Sequence, residues 1–488
     1  LEGLEVKVLN FKDLELDNEK FRIDDEFYLK KYIDAYKTIK SKPNIQLKDI
    51  SKILTDFSAN GSYATIAENF KLLDEKDYAY MVRTTDLEKS DFVNDVKYVN
   101  KHTYNFLNKS KVYGGEILIN KIGSPGRVYL MPKLNKPVSL GMNLFLVRLI
   151  ENADFNEKFV WVFFNTKIGQ NIIKRKVNGT VPLTIDKEAI RTLYLPKLSK
   201  NYQGKIAELV DNSESLLKKS KNNYLLAENL LLETLNLKDF QLSKEPVNVK
   251  NFSQSYGSSG RLDAEYYQVK YEQVVNRIIS TDYDQLVNIV KIKKSIEPGS
   301  SVYADEGLPF VRVSDYNKFG LSTPDKYLTD DFCKENAEQI KKLKPKKETI
   351  LFSKDGSVGT AYMLREDADF ITSGAILHLT VKDKNKIIPE YLTLALNSKL
   401  VQMQAERDAG GSIILHWRVS EIEKVVVPII DFDKQRAIAD LVEESFQLKK
   451  QSEHLLEVAK TAVEMAIEKD EKTAMEYIEN ELEMKNNE

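Results

Sequence analysis

Apolar and polar positions follow two alternating rhythms along this chain. Residues 1–200 mix short apolar runs with turn chemistry: 112–130 reads as two strands about a Gly123-Ser124-Pro125-Gly126 turn. Helices are predicted over 24–40 and around 159–174. From about Tyr202 to Leu235 the apolar residues Ile206, Leu209, Leu216, Leu230 and Leu231 fall at spacings of three and four, with Ser213, Ser220 and Ala227 between them. Residues 241–430 return to the mixed pattern, and 434–482 repeat the helical one through Ile438, Leu441, Val442, Leu448, Leu455, Ala459 and Ala462. Neither helical stretch holds a proline and both carry charges on their other faces, which predicts long amphipathic helices with a coiled-coil-like seam. A helix of about 34 residues spans roughly 50 Å, more than a compact domain needs. The seam wants a partner: the other long helix, or else the helix's own domain.

The chain is also written twice. FRIDDEFYLKKY at 21–32 returns as GRLDAEYYQVKY at 260–271, and VKVLNF at 6–11 as VNVKNF at 247–252. YMVRTTD at 80–86 answers FVRVSD at 310–315, and ILINKIGSPGRVYLM at 117–131 answers ILFSKDGSVGTAYML at 350–364. NGTVPLTIDKEAIRTLYLP at 178–196 answers GGSIILHWRVSEIEKVVVP at 410–428, and GKIAELV at 204–210 answers RAIADLV at 436–442. All keep the same order at offsets of roughly 230–240 residues, the mark of a duplicated unit. The expected fold is α+β: two tandem α/β domains (1–200 and 241–430), each followed by a long helix (201–240 and 431–488), with the helices pairing antiparallel as a spacer.

Composition narrows the chemistry. Among the 488 residues the single cysteine, Cys333, excludes a disulfide framework and a multi-thiolate zinc site, and the four scattered histidines (His102, His378, His416, His454) argue against a histidine-built metal site. Apolar residues at 42% and charged ones at 30% suit folded domains rather than disorder. No apolar run approaches the ~20 residues of a membrane span, and neither a signal nor a transit pattern opens the chain, so a cytoplasmic protein without membrane contact is expected. Enzyme signatures are missing: no GxxxxGK[ST], no GxGxxG after a strand, no Asn/Asp-Pro-Pro-aromatic motif and no GxSxG. Pro324-Asp325 resembles the opening of a nuclease motif, but Glu338 and Lys341 stand three apart in a helix-like stretch.

What remains suits a polyanion. Lys121 and Arg127 bracket the first glycine turn, and Lys354 and Ser357 belong to the second. Lys174, Arg175 and Lys176 lead into Asn178-Gly179-Thr180, while Arg407 leads into Gly410-Gly411-Ser412 and then His416-Trp417-Arg418. Short loops with Lys, Arg, Asn, Ser and Thr bond phosphate oxygens and base edges. The net charge of −2 divides into about −8 on residues 431–488 and about +6 on the rest, the sense expected of a DNA-facing body. Arg83 and Arg312, each three before an aspartate, are candidates for DNA contact or for internal ion pairs. Trp417 reads as core. The basic run KKLKPKK at 341–347 reads as an exposed loop.

Taken together, the ordered duplication resembles the specificity subunits of Type I restriction–modification systems. The resemblance covers nearly the whole chain. It rests on the two glycine turns (INKIGSPG, FSKDGSVG), the Gly-Thr/Ser segments, their endings (LYLPKL, VVVPII) and DKQRAIADLV at 433–442; GKIAELV at 204–210 is a looser copy lacking Gln-Arg. It implies two target-recognition domains without catalytic residues, each reading one half of a split, asymmetric double-stranded DNA target. The helices set the unread gap and dock two modification (methyltransferase) subunits. S-adenosylmethionine, ATP and Mg belong to those partners and to a restriction/translocase subunit, none to this chain. The DNA-contact candidates are then Arg83, Lys121, Arg127, Lys176, Asn178, Thr180, Arg312, Lys354, Ser357, Ser412, His416 and Arg418. TDFSANGSYA at 55–64 and KKSIEPGSSVY at 293–303 differ, as readers of different half-sites should. The Leu-Glu-Gly opening and the acidic run to Glu488 leave room for the recognition part of a Type IIB or IIG enzyme, and mild acidity for a protein–protein scaffold.

Overall fold

A computed structural model describes residues 8, 10, 14, 18, 20–151, 154–238, 240–245, 247–411 and 413–486, the side chains of 484–486 excepted. Most of the VKVLNF segment at 6–11 lies outside the described residues. The chain divides into two compact units: residues 1–215 with 451–488, and residues 216–450. Each is α+β, with mixed sheets and long helical segments.

In unit 1 the strands Ser51–Asp56, Leu144–Leu149, Ile117–Asn120 and Val128–Leu130 form one antiparallel sheet in that order. Ile117–Asn120 is buried along its whole length, so its run of apolar residues marks a strand covered on both faces rather than an alternating one. The second sheet runs Lys97–Val99, Ala79–Val82, Val138–Leu140, Lys111–Val112; its one parallel pairing sets Tyr80 opposite Val138. Tyr80, Val82, Leu118, Leu140 and Leu146 share a core beneath.

The helix predicted over 24–40 begins later, at Lys30–Lys40, because Leu29 is extended and separates it from a short 3-10 turn at Glu26–Tyr28. The stretch around 159–174 is two helices, Glu157–Phe164 and Lys167–Arg175. Thr166 divides them, its hydroxyl accepting from the Gly169 amide as an N-cap.

Unit 2 repeats the plan. Val290–Lys294, Ile376–Val381, Ile350–Ser353 and Ala361–Met363 form an antiparallel sheet in that order, and a mixed sheet sets Leu308–Val311 parallel to Ile371–Thr372. Helices Pro389–Asn397 and Lys399–Asp408 follow. Trp417 is buried against Phe352, as core.

Two long helices, Lys200–Thr234 and Phe432–Glu468, each contribute residues to both units. In unit 2, Tyr224, Ala227 and Leu231 of the first and Ile438 and Val442 of the second join the core of the sheet and Trp417. The buried Ser220 and Ser445 hydroxyls lie 3.2 Å apart there, and Ser445 also donates to the Ser220 carbonyl. In unit 1, Ser213 and Ser452 each donate to the other's carbonyl at 2.9 Å, with 2.8 Å between their hydroxyls. The run expected to continue to 482 breaks after Glu468. Asp470 caps a separate helix, Glu471–Asn486, by accepting from the Thr473 amide.

Candidate nucleic-acid interface

In unit 1 the hairpin of Ile117–Asn120 and Val128–Leu130 closes through the glycine turn, with Gly123 and Gly126 at φ of 85° and 86°. This is the left-handed region glycine enters without a Cβ clash. A second loop, 178–184, is closed by reciprocal amide-to-carbonyl bonds between Asn178 and Thr184, both 2.8 Å. The two loops are then stitched together: Gly123 N–H donates to Leu183 O and Ile185 N–H to Lys121 O, both at 3.1 Å.

Unit 2 builds the same object from different residues. Gly356 and Gly359 take φ of 73° and 82°. Gly410 and His416 exchange the reciprocal bonds, Gly356 N–H donates to Leu415 O, and Trp417 N–H donates to Lys354 O. Glycine is needed inside the second loop of each unit. A Cβ on Gly179 would stand 2.8 Å from the Pro182 carbonyl oxygen, and one on Gly411 2.1 Å from that of Ile414. The loop tips project into solvent, Val181 at 92% and Ile413 at 94% exposure.

Six sequence candidates therefore meet at these stitched loops: Lys121, Asn178 and Thr180 in unit 1, and Lys354, Ser357 and His416 in unit 2. Lys176 sits at the base of the first loop, where it lines a small pocket with Lys20, Arg22 and Asn178. Arg127 leaves the first turn exposed, and Arg418 is exposed just past the second loop. Ser412 lies outside the described residues. Arg83 and Arg312 lie directly after the strands Ala79–Val82 and Leu308–Val311, each at the N-cap of a short helical turn, and not at the loops.

Most of the cations have internal partners. Lys121 pairs with Asp56 at 2.5 Å and Arg127 with Glu88 at 2.5 Å. Arg83 holds the buried Asp86 at 2.7 Å, and Arg312 pairs with Asp315 and Asp325, so of the two readings offered for these arginines the internal ion pair is the one formed. Asp325, the supposed start of a nuclease motif, is thereby used, and Glu338 and Lys341 lie on the helix Ala337–Leu343. In unit 2 one carboxylate serves two partners: Asp355 binds Lys354, and its Oδ1 lies 2.9 Å from His416 Nδ1. Burial alone would raise the Asp56 carboxyl, but hydrogen bonds from Lys121 and Ser58 outweigh it and hold the pKa below the ordinary value. The basic run at 341–347 is half helix: Lys341 and Lys342 end Ala337–Leu343, and Lys346 pairs with Asp367.

Sequence reasoning noticed Arg22-x-Asp24 and Arg261-x-Asp263 only as repeat markers. Structurally they grip the base of the stitched loops. Arg22 binds Asp24 through Nε (2.8 Å) and Nη2 (2.6 Å) while Nη1 donates to Val177 O (2.7 Å) and Arg175 O (3.2 Å). Arg261 binds Asp263 likewise (2.8 and 2.7 Å) and donates to Asp408 O (2.8 Å). The signal was the strongest stretch of the repeat itself.

Among the described residues there is no group of three or more His, Cys, Asp or Glu able to hold a metal ion, and no helix long and apolar enough to cross a membrane. Residues 283–458 match the family model described as Type I restriction modification DNA specificity domain. That match lies in the second half of the chain and takes in the sheet and the stitched loops of unit 2 and part of the long helix Phe432–Glu468. Among solved structures it is similar to the Type-I restriction-modification system S subunit from M. genitalium (14% identity, 87% of this chain and 94% of that one, TM-score 0.39). It is similar also to the HsdS subunit from Thermoanaerobacter tengcongensis (12% identity, 88% and 96%, TM-score 0.27). No curated protein matches the chain.

Proposed function

We propose that this chain is the DNA-reading, non-catalytic subunit of a Type I restriction–modification complex, each unit reading one half of a bipartite, asymmetric double-stranded target. The observation that carries the reading is the specificity-domain match over 283–458. The stitched loops support extending it to unit 1, since an equivalent hydrogen-bonded frame stands there on a sheet of equivalent strand order. On this reading the contact set is Arg127, Lys176, Asn178 and Thr180 in one unit and Ser357, Ser412, His416 and Arg418 in the other, with Lys121 and Lys354 exchanging their carboxylate partners for phosphate. Arg83 and Arg312 act from behind, through their aspartates.

The two long helices pair antiparallel as the spacer and dock two methyltransferase subunits, which supply S-adenosylmethionine chemistry; a restriction/translocase subunit supplies ATP- and Mg-dependent work. The serine pairs support this orientation: as the first helix advances from Ser213 to Ser220, the bonded partner steps back from Ser452 to Ser445. Both pairs sit one heptad apart, the repeat of a seam. The boundaries 1–200, 201–240, 241–430 and 431–488 divide the chain into reader, rod, reader and rod.

Methylome sequencing of a host carrying the gene with its partners, with and without an intact reading frame, tests the proposal. The expected result is a split adenine-methylation motif present only with the intact frame. An unchanged methylome would count against it.

A further inference from the structure

We infer that Arg22 and Arg261 are positioning residues for the DNA-facing loops, each clamping the helix end from which its loop springs; the inference rests on the reading of those loops given above. Three observations carry it. First, the clamp has the same form in both units: an Arg-apolar-Asp segment whose guanidinium is held flat by a bidentate carboxylate while the remaining nitrogen reaches the last carbonyls of a helix. In unit 1 that helix is Lys167–Arg175 and the carbonyls are that of Arg175, its last residue, and that of Val177, just past its C-cap. In unit 2 it is Lys399–Asp408 and the carbonyl is that of Asp408. A cation there complements the negative helix end and satisfies carbonyls left without intrahelical donors.

Second, one aromatic ring fixes both partners. Phe27 lies under Arg22 (4.9 Å) and Arg175 (4.2 Å), and Tyr266 under Arg261 (4.6 Å) and Arg407 (5.1 Å). The segment and the helix end are thus packed on a common plane, at cation–π distance. Third, the clamped carbonyls stand directly before the bridged pairs Asn178–Thr184 and Gly410–His416. The clamp thus holds the chain between the helix end and the bridged pair, while the stitching bonds hold the far side of the loop, so the angle at which the loop leaves the helix is set here. The side-chain bond from Arg22 also holds the Asp24 carboxyl below its ordinary pKa, as Arg261 does for Asp263.

The test uses the full chain with its methyltransferase partner. Arg22→Lys keeps the charge but cannot span a carboxylate and a carbonyl together. Expected are roughly tenfold faster hydrogen exchange at the Asn178 and Thr184 amides, with no change in unit 2, and roughly tenfold weaker discrimination at one half of the split target with the other half kept. Arg261→Lys should do the converse, loosening Gly410 and His416. Unchanged exchange, or equal loss at both halves, would overturn the clamp. So would exchange rising across all strands of the altered unit in both Arg22→Lys and the milder Asp24→Asn, since the pair would then hold the fold and not the loop. A wild-type complex that methylates no bipartite site would defeat the DNA reading, while the exchange result would still decide the clamp.

Discussion

The central sheets of the two units differ at a few positions on an otherwise shared frame. Ile117 faces Val147 and Leu130 in unit 1 as Ile350 faces Leu379 and Met363 in unit 2. Opposite Leu118, however, unit 1 has Leu146, whereas opposite Leu351 unit 2 has His378, buried and 2.8 Å from Thr372 Oγ1. The edge strands part company too. Asp56 stands opposite Phe145, and in the matching place opposite Leu377 stands Lys294. Unit 1 thus ties its turn lysine from the edge strand Ser51–Asp56, while unit 2 ties its own from the next residue, Asp355, and adds His416. The lesson is that the hydrogen-bonded loop frame is kept while the side chains that neutralise it are rebuilt. A frame made of backbone bonds tolerates such exchange, because its geometry does not depend on which carboxylate sits nearby.

The largest expected difference lies where the second loop re-enters the core. Trp417 and Ile185 occupy matching places, donating their amides to Lys354 and Lys121. Trp417→Ala should destabilise unit 2 by about 3–5 kcal/mol, and Ile185→Ala unit 1 by about 2–5 kcal/mol, in urea unfolding followed by hydrogen exchange of each unit. If Trp417→Ala leaves unit 2 unchanged, its role as a core anchor is wrong.

Next comes acid sensitivity. Burial, with Lys293 nearby, pushes the His378 pKa down to about 4. The unfolded chain takes up a proton below about 6.5 and the folded one only below about 4. Stability contributed by the neutral ring is therefore present above about 6.5 and lost as pH falls toward about 4, amounting to ~3 kcal/mol. His378→Leu, the unit 1 solution, should abolish that loss in unit 2; an identical pH profile in wild type and variant would refute it.

Smaller effects are expected at the helices. Ser213→Ala and Ser452→Ala should each cost about 1 kcal/mol, and the double variant less than their sum, since either change strands the same reciprocal pair. Strict additivity in the double-mutant cycle would deny the coupling. Smallest is the charge exchange at the loops. Asp56→Asn releases Lys121 and Asp355→Asn releases Lys354 from the carboxylate each gives up on binding, so each should tighten DNA binding severalfold while leaving the salt slope unchanged. No gain in affinity would mean that neither lysine meets phosphate.

Much of this was legible in residue order. The glycine turns, the buried Trp417, the two helical stretches and the α+β character follow from spacing and turn chemistry, because these are local properties. The break at Asp470 was missed because an apolar spacing of three and four continues past it; a single capping carboxylate decided the matter. At the candidate site the loops were found and their electrical state was not. Lys121 and Asp56 are 65 residues apart, and His416 and Asp355 are 61 apart, so a side chain that looks free in sequence is paired in space.

By itself, then, the amino-acid order determined the paired architecture of the units, since a repeat written into the residues needs no fold to be seen. Only the tertiary structure decided which charges are neutralised, which serines face each other and what the repeated arginines grip. Those outcomes depend on distances between segments remote in the chain, and such distances exist only once the sheets and helices have packed.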